Sequence, residues 1–85
     1  MAYAPRMNVK FGTKVFDILG YTCEFPGEVT AETIAYQTGM EAHSVRVAIT
    51  RLRKLGLVMG GSPYQPSKRG KAHYEKALAK SGIDL

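Results

Sequence analysis

The stretch TAETIAYQTGMEAHSVRVAITRLRKLGLV, residues Thr30 to Val58, carries two helical patterns separated by a glycine. Thr30 suits the start of the first. Its hydroxyl can accept from the free amide donors of a helix beginning at Ala31, and Glu32 in the first turn favours the helix dipole. That helix is expected over Ala31 to Thr38, with Ile34 and Ala35 inward. Gly39 ends it, because glycine takes a positive φ without strain. Beyond Met40 and Glu41, the residues Val45, Ala48, Ile49, Leu52 and Leu55 follow the spacing of one buried helical face. The spacing predicts a longer helix from Ala42 to Leu55, stopped by Gly56.

Working outward, Val15, Phe16, Ile18 and Leu19, with Phe11 one turn earlier, make another helical stripe. A first helix is expected over about Lys10 to Thr22, and Pro26-Gly27 then breaks the chain. Val29 falls in a short extended stretch able to pair with a later strand. After Gly56, Leu57-Val58-Met59 reads as a strand, Gly60-Gly61-Ser62-Pro63 as a turn and Tyr64-Gln65 as a short returning strand. Pro66 restricts that second strand to an edge. Ser67 can cap a last helix, about Lys68 to Lys80, with Tyr74 and Leu78 on its inner side. The fold class is α+β, mainly helical: a three-helix core, a short β-hairpin and a C-terminal helix. At 85 residues the chain makes one domain, 1–85, with a modest core.

The net charge of +5 is unevenly spread. Up to Glu41, Arg6, Lys10 and Lys14 face Asp17, Glu24, Glu28, Glu32 and Glu41. From Ala42 to Lys80 the cations are Arg46, Arg51, Arg53, Lys54, Lys68, Arg69, Lys71, Lys76 and Lys80, and Glu75 alone opposes them. A polarised half-chain points to a polyanionic partner, since clustered cations gain by releasing counterions condensed on phosphates. A merely basic, solvated surface is the plainer alternative.

The segment 30–58 resembles the winged helix-turn-helix superfamily, notably the MarR-type and related small bacterial regulators. Ile34-Ala35 matches the inward pair of that family's second helix, Gly39 its turn glycine, and Met40 the apolar residue between the two helices. Val45, Ile49 and Leu52 match the buried ridge of its recognition helix, and Gly56-Leu57-Val58 the exit into its wing. Ser67-Lys68-Arg69-Gly70 is similar to the segment that often follows the wing. The resemblance runs from about Thr13 to Lys80, and implies a helix-turn-helix at 30–55, a wing at 57–66 and a C-terminal helix at 67–80. Two departures stand out. The hairpin turn is short and uncharged, and no long extra helix serves dimerisation, so a homodimer and an effector ligand stay open.

The resemblance implies a sequence-specific double-stranded DNA-binding protein, most simply a small transcriptional regulator. On a helix advancing about 100° per residue, His43, Val47, Thr50 and Lys54 lie opposite the buried ridge, with Arg46 and Arg53 on one flank and Arg51 on the other. In this family the early residues of that face enter the major groove and the later ones reach phosphates. His43, Arg46, Val47 and Thr50 are therefore candidates for base contact, and Ser44 beside them is a further candidate for DNA binding. Arginine offers guanine two hydrogen bonds, and Val or Thr methyls can touch thymine. Arg51, Arg53, Lys54, Lys68 and Arg69 are placed to hold phosphates. Each has a bland alternative: Val47 leaning on the second helix, His43 as an ordinary first-turn residue, the cations as a solvated face.

Other classes are disfavoured. Cys23, the one cysteine, excludes an internal disulfide, and Cys23, His43 and His73 lack metal-ligand spacing. No metal or cofactor is expected. No phosphate loop or nucleophile motif occurs, and Glu24 and Glu28 flank a Phe25-Pro26-Gly27 loop with nothing to orient them, so an enzyme is not expected. The five tyrosines are scattered, unlike a platform for single strands. A helix does not enter the deep, narrow groove of duplex RNA. No segment has the apolar run of a signal peptide or a membrane span, so no membrane contact and a cytoplasmic location are expected. Two rivals stay open: a protein-docking module using the outward face of the third helix through Val47, and a DNA-binding component of a replication, recombination or packaging complex.

Overall fold

Short hydroxyl side chains set where three of the four helices begin. In the computed structural model, which describes residues 12–80, Thr13 Oγ1 accepts from Phe16 N–H at 3.1 Å and opens α1 (Lys14–Glu24). Thr30 Oγ1 accepts from Thr33 N–H at 3.2 Å and opens α2 (Ala31–Thr38). Ser67 Oγ accepts from Gly70 N–H at 2.9 Å at the head of α4 (Lys68–Lys80). Such caps stabilise a helix by about 1 kcal/mol each. The remaining helix, α3 (Ala42–Lys54), starts at Glu41 with no side-chain cap. Its position is fixed by packing and by the tight turn before it, where Gly39 takes φ 75° and donates its N–H to Ala35 O at 2.9 Å.

The first three helices close around one core. Ile18 and Leu19 of α1, Ile34 of α2, and Val45, Ile49 and Leu52 of α3 are buried, with Leu57 beneath them. Met40 is half-buried against the same cluster. Between α3 and α4, β1 (Val58–Met59) and β2 (Gln65–Pro66) pair antiparallel, Val58 opposite Pro66 and Met59 opposite Gln65. Val29 joins as an isolated bridge to Tyr64: Tyr64 N–H donates to Val29 O and Gly27 N–H to Tyr64 O, each at 2.9 Å. The expected extended stretch at Val29 thus finds its partner. Helix α4 returns against α1, with the Tyr74 and Phe16 rings 5.3 Å apart and Ala77 and Leu78 half-buried beside them.

The structure corrects several boundaries. Helix α1 lies later than the expected 10–22, because periodicity locates a face and not an end. The Thr13 cap starts it at Lys14, and the Phe25 N–H bonded to Tyr21 O closes it after Glu24. Lys10 and Phe11 lie outside the described residues. Helix α3 ends at Lys54, with Leu55 as its cap. Leu57 is buried just ahead of β1 rather than within it. The returning strand is Gln65–Pro66 and not Tyr64–Gln65. Tyr64 is turned to Val29 instead, and the missing donor of Pro66 is not needed, since the adjacent ladder bond is Ser67 N–H to Leu57 O at 2.9 Å. Among the described residues no helix is long and apolar enough to cross a membrane.

Candidate functional site

The inward ridge of α3 leaves the rest of that helix to solvent. His43, Ser44, Arg46, Val47, Thr50, Arg51, Arg53 and Lys54 are all exposed, as the projection from sequence anticipated. Val47 is 55% exposed, so it is not buried in the core. Together with Thr50, Arg51 and Lys54 it rims a shallow hollow of about 340 Å³ on the outer face. Thr50 Oγ1 donates to Arg46 O at 3.0 Å, so its hydroxyl proton is engaged within the helix.

Arg51, Arg53 and Lys54 occupy the last turn, where the dipole favours cations. Among the described residues none of the three makes an ion pair within 4.0 Å. The start of α4 is tied to the exit of α3 by Ser67, whose Oγ donates to Gly56 O at 2.5 Å while its N–H donates to Leu57 O. A Cβ built on Gly56 would lie 3.9 Å from Arg69 Nη1. Arg69 thus reaches Gly56, two residues past the end of α3, although a whole hairpin separates them in sequence. Gly70 makes this approach possible, because a Cβ there would stand 2.0 Å from Leu57 O. Lys68 and Arg69 are exposed at a helix start, where the dipole disfavours cations.

The sequence did not reveal the partner of Arg46. Its Nη2 donates to Glu32 Oε2 across the gap between α3 and the head of α2, with both side chains more than half exposed. The Glu32 carboxyl is held below the usual carboxylate range, first by the backbone N–H at the start of α2 and then by the Arg46 guanidinium. The two residues stand 14 apart, so no rule of helical spacing could pair them. Tyr36, 86% exposed on α2, was likewise given no role, though an inward Ile34-Ala35 pair leaves it outward.

On another side, α1, the end of α2 and Tyr74 border a hollow of about 400 Å³ lined by both signs of charge, with Lys14 against Asp17 and Glu24. Tyr74 OH donates to Glu24 Oε2 there at 2.9 Å. Burial, then the Glu24 acceptor, pushes the Tyr74 hydroxyl up to about 12. Burial likewise pushes the Cys23 thiol up to about 11, which leaves little thiolate at neutral pH. Cys23, His43 and His73 belong to three different helices. Compared with protein-family models, with curated proteins and with solved structures, the chain matches none.

Proposed function

We propose that this chain binds double-stranded DNA with sequence preference, as a small winged helix-turn-helix regulator acting in the cytoplasm. In this reading α2 and α3 are the helix-turn-helix, the β1–β2 hairpin is the wing, and α3 lies in the major groove. The observation that carries the reading is the outer face of α3. Four of its exposed side chains are cationic and none is acidic, and Arg69 of α4 lies beside Gly56 just past the end of that helix. A helix of 13 residues spans about 20 Å, enough to lie along a major groove. His43, Arg46, Val47 and Thr50, from the first turn to the third, read base edges, with Ser44 beside them. Arg51, Arg53, Lys54, Lys68 and Arg69 then clamp phosphates.

Selection of duplexes from random-sequence DNA, followed by titration of the selected site at several salt concentrations, tests the proposal. The expected log–log slope of affinity against salt is on the order of −3 to −6. Symmetry in the selected site reports whether two copies bind together. No enrichment, or affinity that stays flat with salt, refutes the reading. Exposed Val47 supports the second reading, a protein partner docked on the same helix, which the same flat titration would favour.

A further inference from the structure

Surface ion pairs are cheap to break, and that makes the pair between Arg46 and Glu32 informative, because it joins the head of α2 to the middle of α3. Glu32 is ionised throughout the neutral range, its carboxyl held low by the backbone N–H and by Arg46. Any group that takes the guanidinium away from it leaves a carboxylate facing that group. We infer that Glu32 is a specificity-determining residue that lets Arg46 engage a guanine edge while withholding it from phosphate. The inference rests on the DNA-binding reading.

The donor count supplies the reason. A guanidinium carries five N–H donors, and Glu32 takes one through Nη2. Guanine O6 and N7 need two, so Arg46 can satisfy a guanine and keep Glu32, which then fixes the plane of the fork. A phosphate is different. It competes for Arg46 as a charge, and it must approach a carboxylate of its own sign. On a duplex that offers only backbone, Arg46 is therefore worth less than a free arginine. Glu32 lowers non-specific binding more than it lowers binding to the preferred site, and the ratio of the two is what sets occupancy. An exposed pair of this kind sets the size of the effect at about two- to fivefold.

The experiment compares the unmodified chain, Glu32→Gln, Arg46→Ala and the double variant. Each is titrated at several salt concentrations against two probes: the duplex that the unmodified chain selects, and a scrambled duplex of equal length and composition. Glutamine keeps the shape of Glu32 at an exposed position, and melting curves confirm that each variant is folded. Glu32→Gln is expected to raise affinity for the scrambled duplex about two- to fivefold, and to steepen its salt slope by about one as Arg46 gains a phosphate. Affinity for the selected duplex does not rise. In the Arg46→Ala background Glu32→Gln then has no effect, since the carboxylate acts through that arginine. An equal rise on both duplexes, or a rise that persists without Arg46, overturns the inference in favour of a general loss of negative charge. A chain that discriminates between the duplexes while Glu32→Gln changes nothing removes the inference alone. A chain that selects no duplex removes the DNA-binding reading, and the inference with it.

Discussion

Gly70→Ala sets two elementary effects against each other. Gly70 is the third residue of α4, and helix propensity alone predicts that alanine there stabilises by about 1 kcal/mol. Packing predicts the reverse. The added Cβ would lie 2.0 Å from Leu57 O, 2.9 Å from Leu57 C and 3.2 Å from Leu57 Cα. All three are backbone atoms, so no rotamer change can relieve the clash. Leu57 cannot readily give way, since its side chain is fully buried and its carbonyl accepts from Ser67 N–H. The head of α4 must retreat by more than an ångström. That movement strains the Ser67 bonds to Gly56 and Leu57 and loosens the Tyr74–Phe16 contact further along the helix.

Overpacking of this kind outweighs the gain in propensity, and the expected net loss is about 2–3 kcal/mol. In a domain of this size that lowers Tm on the order of 10–20 °C. Thermal melts and urea titrations followed by circular dichroism measure it. Gly20→Ala serves as the comparison. Its Cβ would meet the Tyr74 ring at 3.0 Å, and a side chain can tilt where a carbonyl cannot, so its net effect stays within about 1 kcal/mol. A Gly70→Ala protein as stable as the parent, or more stable, refutes the close approach of α4 to Leu57. The placing of Arg69 beside Gly56 would fall with it.

Lys54→Ala should weaken binding to every duplex about equally and reduce the salt slope by about one, because a phosphate contact carries no base preference. A loss confined to the selected duplex would show Lys54 reading bases. Val47→Ala should leave Tm nearly unchanged, since the side chain is 55% exposed, and cut affinity tenfold or less, chiefly for sites with thymine at one position. A drop in Tm instead would mean that Val47 is packed. Stability should fall at alkaline pH. Tyr74 and Cys23 keep their protons in the folded chain up to about 12 and about 11, whereas the unfolded chain releases them near 10.0 and 9.0. The stabilisation is intact below about pH 9 and is lost as pH rises through the folded values. Tyr74→Phe removes the tyrosine share, and a parental stability that stays level from pH 9 to 12 contradicts this account.

Local chemistry made most of the framework legible. Thr30, the turn at Gly39 and the 3.6-residue ridge of α3 act over a few residues, so α2 was placed to the residue and α3 to within one. The end of α1 is less legible because its packed face outlasts the apolar stripe: half-buried Cys23 lies beyond Thr22, and the helix runs to Glu24. The site was legible in the same way. Which side chains of α3 face outward follows from one buried ridge. What they meet does not. The Arg46–Glu32 pair and the approach of Arg69 to Gly56 both depend on how separate elements pack, and no spacing in the chain encodes them.

The packing also bears on how such a domain would hold DNA. The turn 60–63 carries no charge, and each strand of the hairpin is two residues long, so the tip has little with which to grip a phosphate. Under the proposed reading, the cations that a longer wing would supply are found instead where the hairpin ends, at Lys68 and Arg69. Ser67 and Gly70 bind that point to the end of α3: one links α4 back to Gly56 and Leu57, and the other removes the side chain that would hold them apart. Arg69 is thereby held beside the end of α3, whose last turn carries Arg51, Arg53 and Lys54. A cation set on a helix leaves only its side chain to be ordered on meeting a backbone, whereas a lysine on a mobile loop needs its main chain ordered as well. Under the proposed reading the short hairpin is therefore a connector, which returns the chain to the end of α3.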